Sequence, residues 1–126
     1  EVKEHPMPQK LEAGNPAMVV ILFLEQALDL ILETGIERIE NHARDLSNEI
    51  SQSLAALDIN VITPAARSRR SGNTCFLLED APELVDRLAE HQVYVWGEYG
   101  RVRVSGHLYN GSADVVRLCD ALKEIL

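Results

Sequence analysis

The stretch "VYVWGEYGRVRVSGHLYN", residues 93–110, decides how this sequence folds. Val93-Tyr94-Val95-Trp96 reads as a strand, Gly97-Glu98-Tyr99-Gly100 as a turn, and Arg101 to Ser105 as a second strand. Strands joined by so short a turn pair antiparallel. Side chains alternate across a strand, so Val102 and Val104 point to one face and Arg101, Arg103 and Ser105 to the other. The pattern then breaks at Gly106 into His107, Tyr109 and Asn110.

Working upstream, Asp80-Ala81-Pro82-Glu83 reads as an aspartate version of the capping box, with proline in the first turn. It predicts a helix with Leu84, Val85, Leu88 and Ala89 inward. Before it, "NTCFLLE" reads as a mostly apolar strand, and Asn60-Val61-Ile62-Thr63 as a short one stopped by Pro64. The basic "AARSRRSG" between them reads as an exposed connection. Two long helices come first. In the span from Ile36 to Leu57, apolar residues step by three or four, which makes one stripe. The span from Ala17 to Thr34 is capped by Asn15, helped by Pro16, and stopped by Gly35. Residues 1–16 read as an extended lead-in. Downstream, Ser112 caps a last helix with Val115, Leu118, Cys119, Leu122 and Ile125 inward. The order is two helices, two strands, a helix, two strands, a helix. It predicts one α+β domain over residues 1–126, a small antiparallel sheet covered on one face by helices.

Composition narrows the function. Aromatic residues make up only 5% of the chain, so Leu, Ile, Val and Ala must fill the core. The net charge of −8 argues against nucleic acid as the main partner, because phosphate binding needs a dense basic surface. The apolar run from Ala17 to Leu32 carries Glu25 and Asp29 and is short for a bilayer, so it predicts a helix buried on most sides rather than a membrane span. Cys75 and Cys119 read as buried thiols of a reducing, cytoplasmic compartment. No Cys/His cluster has metal-ligand spacing, so no metal is expected. The scattered His5, His42, His91 and His107 each read as structural. Lys3, Lys10 and Lys123 lack the apolar, pocket-like context of a Schiff-base lysine.

That leaves Arg103 as the best single candidate. A guanidinium on a rigid strand suits bidentate binding of a carboxylate. From spacing and side-chain chemistry alone, pairing with a surface acid stays open beside it. Trp96 and Tyr99 fall near the same edge, as pocket walls or as rim packing.

"GRVRVSGHLYN", followed by an amphipathic helix, resembles the end of class V aminotransferases, the pyridoxal-phosphate enzymes of fold type I that include cysteine desulfurases and isopenicillin-N-epimerase-like proteins. The resemblance rests on Arg103, Ser105, Tyr109, Asn110 and Asp114. "LEAGNP" at residues 11–16 resembles the stretch that opens the family's small domain, and the two helices with Gly35 and His42 follow in the family's order. The likeness covers essentially the whole chain.

The resemblance implies that the chain is the C-terminal small domain of a longer homodimeric enzyme that acts on an amino acid with pyridoxal 5'-phosphate. Arg103 then stands where the family's arginine binds the substrate's α-carboxylate. Asn15 stands where a threonine usually reaches the cofactor phosphate of the neighbouring subunit. The lysine of the internal aldimine belongs to a preceding large domain, so this fragment holds no catalytic residue and is not expected to be active alone. A cysteine desulfurase is disfavoured against an aminotransferase, lyase or epimerase, because the tight "VWGEYG" turn carries no cysteine. The competing hypothesis is a free-standing α+β binding module without enzyme activity. Such a module would expose the apolar first helix and self-associate.

Overall fold

The Ala17-to-Leu32 run forms helix α1, Met18–Thr34, in the computed structural model, which describes Met7 and residues 14–126. Most of the expected lead-in, including Leu11, Glu12 and Ala13, lies outside the described residues. Ala17, not Asn15, is the N-cap of α1, and no side chain caps it. The Met18 N–H closes on the Pro16 carbonyl at 2.9 Å, a tight turn that takes the place of an asparagine cap. Gly35 ends the helix at φ 89°, a left-handed value natural to glycine, and donates to the Ile31 carbonyl at 3.0 Å. The chain divides here into two units, one ending at Gly35 and one running from Ile36 to Leu126.

The expectation that α1 is buried on most sides is overturned: none of its residues is buried, and Val19, Phe23 and Leu32 are 66%, 72% and 73% exposed. Apolar residues lie all round it, and that composition buries a helix only where something covers every side.

The second unit contains helix α2 (Ile36–Ala55), strand β1 (Asn73–Leu77), helix α3 (Ala81–Glu90), strands β2 (Trp96–Glu98) and β3 (Arg101–Ser105), and helix α4 (Ser112–Ile125). The strands form one antiparallel sheet in the order β1-β3-β2. Leu46, Ile50 and Leu54 of α2, Leu84 and Leu88 of α3, and Leu118 and Leu122 of α4 pack with the inward Phe76, Val102 and Val104 of the sheet. This is the expected α+β arrangement, with helices covering one face.

The helix ends follow from local chemistry. After α3, the Gln92 N–H donates to the Ala89 carbonyl and the Val93 N–H to the Leu88 carbonyl, both at 2.9 Å, with Gln92 at φ 60°. This is a Schellman motif, which satisfies the last carbonyls of the helix. Asp58 at φ 57° does the same after α2, where Ile59 donates to Leu54 at 3.1 Å, so α2 stops two residues before the expected Leu57. Two further expected caps do not form. Asp80 has ψ 46°, outside the extended region from which an N-cap side chain reaches back, and it makes no capping bond. Gly111 rather than Ser112 is the N-cap of α4; Ser112 Oγ donates instead to Glu49 on α2 at 2.9 Å.

Two expected strands are shorter than the sequence pattern implies. Residues 60–63 make one bridge, Val61 with Phe76. The Cys75 N–H goes to the Thr63 hydroxyl at 2.7 Å, and that side-chain bond cuts off further ladder before Pro64. β2 begins at Trp96 rather than Val93, because the Schellman motif already holds the Val93 N–H. Val93–Val95 and the end of β3 instead flank a cavity of about 310 Å³, floored by Leu46, Ile50 and Val115.

Gly97 sets how closely α3 meets the sheet. A Cβ there would lie 2.7 Å from Val85 Cγ2 and 2.8 Å from the Ala81 carbonyl oxygen. The Ala81 backbone cannot yield as a flexible side chain does. Gly97→Ala is therefore expected to destabilise the fold by about 1–3 kcal/mol, the usual cost of overpacking. Urea unfolding checks this, and an unchanged midpoint would mean that α3 shifts freely.

Candidate functional site

The alternation of β3 does what its sequence implies. Val102 and Val104 are buried, while Arg101, Arg103 and Ser105 stand on the uncovered face of the sheet. Register sets their neighbours. Arg103 lies between Cys75 on β1 and Trp96 on β2, and Arg101 lies between Leu77 and Glu98. Directly opposed residues of an antiparallel pair hold their Cβ atoms about 4.5–5.5 Å apart, so each row is one contact surface.

The Arg103 guanidinium lies over the Trp96 ring, 5.3 Å from its centroid. Among the described residues it makes no ion pair and no hydrogen bond. Two arginines of the basic loop behave differently. Arg67 pairs with Asp45 and donates to Asn41 at 3.1 Å, and Arg70 donates to Asn48 and to the Ala65 carbonyl, each at 2.8 Å. Those bonds tie the loop to α2. Arg103 has its guanidinium over the Trp96 ring and no partner for its donors among the described residues.

Cys75 is half-buried on the open face beside Arg103, not buried in the core as its apolar surroundings imply. Thr74 and Phe76 take the inward positions on β1, and period two sends Cys75 outward. Cys119 is buried on α4, and burial pushes its thiol above the usual range.

The Tyr-Asn-acid segment after β3 has a structural role. The Asn110 side chain accepts the His107 N–H at 2.9 Å and donates to the Asp114 carboxylate at 3.3 Å. Asp114 in turn accepts the Gly111 N–H at 3.0 Å. That backbone bond, with the Asn110 amide second, holds the Asp114 carboxyl below the ordinary aspartate range. His42 on α2 meets the Asn110 carbonyl at 2.8 Å. Together these bonds seat the start of α4 against α2. Tyr109 stacks on His107, with centroids 4.7 Å apart, and stays exposed.

Tyr99 stands at the tip of the hairpin, where φ is 53° at Tyr99 and 71° at Gly100, the two left-handed residues of a type I′ turn. Trp96, not Tyr99, is therefore the aromatic that meets Arg103. Asn15 is exposed and belongs to the unit ending at Gly35. Lys123 on α4 donates to Asp120 at 2.9 Å, and that bond raises its pKa. A lysine held charged in this way is no nucleophile for a Schiff base; Lys3 and Lys10 lie outside the described residues. No helix among the described residues is long and apolar enough to cross a membrane.

The sequence profile of the class-V aminotransferases matches residues 1–118. An uncharacterized aminotransferase of Schizosaccharomyces pombe is 27% identical over 116 residues, covering 92% of this chain and 29% of its own length. A probable cysteine desulfurase of Aeropyrum pernix is 26% identical over 146 residues, covering 100% of this chain and 36% of its own. Among solved structures, the apo cysteine desulfurase of Thermococcus onnurineus NA1 superposes with a TM-score of 0.86 at 22% identity, over 94% of this chain and 33% of that one. The chain thus spans about a third of the length of these relatives.

Proposed function

We propose a function from a plain premise: this chain belongs to the class-V aminotransferase family. It is the small domain of a longer homodimeric cytoplasmic enzyme, and it supplies one wall of an amino-acid site. Arg103 binds the substrate's α-carboxylate. The observation that carries this reading is a guanidinium on a rigid strand, lying over the Trp96 ring and without an acid among the described residues. Such a donor set calls for an anion from outside the chain.

Pyridoxal 5'-phosphate, when bound, supplies the electron sink for chemistry at an amino acid's α-carbon. The described residues of this chain do not form a site for it, since the only described lysine is tied to Asp120. On this reading the cofactor's lysine belongs to a preceding large domain, as in the family the chain resembles, and the fragment alone is inactive. Asn15, exposed ahead of α1, is suited to donate to the cofactor phosphate. The exposed apolar surface of α1 supports the reading too, because a free-standing module would be left with a sticky helix.

For the reaction, the two-residue Tyr99-Gly100 turn favours transfer, elimination or epimerisation over desulfuration, because it carries no cysteine. Cys75 faces the same surface as Arg103, but it comes from β1 and not from a loop ahead of β3.

The test is the intact mass of the polypeptide in its source cell, by antibody capture and mass spectrometry. A polypeptide about three times the length of this chain, as the coverage of the relatives implies, supports the reading. A mass near 14.0 kDa overturns it.

A further inference from the structure

We propose that Trp96 is the positioning residue for Arg103: its indole holds the guanidinium by the face, so that the N–H edge is set for a carboxylate before one arrives. This rests on the carboxylate reading of Arg103 and goes beyond it by assigning a role to the neighbouring strand.

The placement comes from the ladder. Trp96 is the direct partner of Arg103 across β2 and β3, and the Arg103 guanidinium carbon sits 5.3 Å from the ring centroid. Both side chains are on the uncovered face of the sheet, and the neighbour on the other side is Cys75. The one acid on that face among the three strands, Glu98, is in register with Arg101.

An aromatic face attracts a cation through its quadrupole. The five N–H donors of arginine lie in the guanidinium plane, so stacking occupies the face and leaves the donor edge open. A long side chain on an open sheet otherwise samples many rotamers, and ordering it beforehand removes that cost from ligand binding. An acid partner would also order Arg103, but it would consume the donors. Trp96 orders the side chain and leaves them free.

The experiment follows the Arg103 Nε–Hε signal of the 15N-labelled complete enzyme during titration with acetate. The signal is identified by its loss in Arg103→Ala. Trp96→Leu keeps an apolar side chain but removes the aromatic face, and Trp96→Phe restores a face. The expected result is a saturable shift in the wild type, about fivefold weaker apparent affinity in Trp96→Leu, and an affinity near wild type in Trp96→Phe. Equal affinities in all three proteins, or equal weakening in the Phe and Leu variants, overturn the role of Trp96 and leave the carboxylate reading standing. No acetate response of Arg103 in the wild type overturns both. Trp96 is on the open face, and amide spectra of each variant show directly that the fold is intact.

Discussion

Arg103→Lys in the complete enzyme is expected to lower kcat/KM by roughly ten- to hundredfold, the worth of one hydrogen bond to a charged group. Lysine keeps the charge and most of the length. It loses the planar fork that meets both oxygens of a carboxylate at once, and it loses the delocalised face that stacks on Trp96. The two losses act on one interaction, so they do not simply add. Arg103→Ala removes the charge as well and is expected to fall further. Steady-state kinetics with a panel of amino acids make the measurement. A loss of similar size for every amino acid points to the carboxylate they share, whereas a loss confined to some side chains would assign Arg103 to side-chain recognition. Unchanged kcat/KM in Arg103→Lys would remove the residue from the substrate site. Arg101→Lys is the matched control, since Arg101 stands on the same face one row away, opposite Glu98 and Leu77.

The open face was legible in the sequence because β3 alternates strictly: two buried valines fix the direction of two arginines. Its pairing partner was not. A four-residue turn at 97–100 would set Trp96 opposite Arg101, but the turn has only two residues, Tyr99 and Gly100, and this slides Trp96 opposite Arg103. A bulky tyrosine in a left-handed conformation is uncommon, so nothing local announces the shorter turn. Cys75 was misjudged for a related reason. "NTCFLLE" is apolar enough to hide its own alternation, and only the burial of Thr74 and Phe76 shows which residues face outward. The missing strand residues at 60–63 and 93–95 have a common cause. The Cys75 N–H that would extend the first ladder goes to the Thr63 hydroxyl, and the Val93 N–H goes to the end of α3, bonds that periodicity does not encode. The helices fared better: the stripe of α2 is buried from Leu46 onward, though Ile36 at its start is exposed, and the buried positions of α3 and α4 lie where the 3.6-residue period puts them. α1 carried the opposite lesson, since composition states a need for cover but does not name what provides it.

Phe76→Ala is expected to cost about 3–5 kcal/mol, the usual range for emptying a large aromatic site in a core. Phe76 is 0% exposed, sits on β1 opposite Val102, and also meets Val61 through the isolated bridge. Truncation leaves a cavity where the sheet meets its helical cover, and the neighbours belong to a rigid ladder that cannot collapse into it. Domains of this size have only about 5–15 kcal/mol in total, so the variant should unfold at a much lower urea concentration and lose much of its folded population on mild heating. Leu77→Ala is the internal control. Leu77 is the next residue, points to the open face and is 46% exposed, so its truncation should move the midpoint far less. The comparison bears on function because Arg103 and Trp96 have no core of their own: the sheet that aligns them is held from the opposite face by Phe76, Val102 and the helices. If Phe76→Ala and Leu77→Ala cost the same, the buried side does not anchor the sheet. The alignment of Arg103 with Trp96 would then have to come from the open face itself.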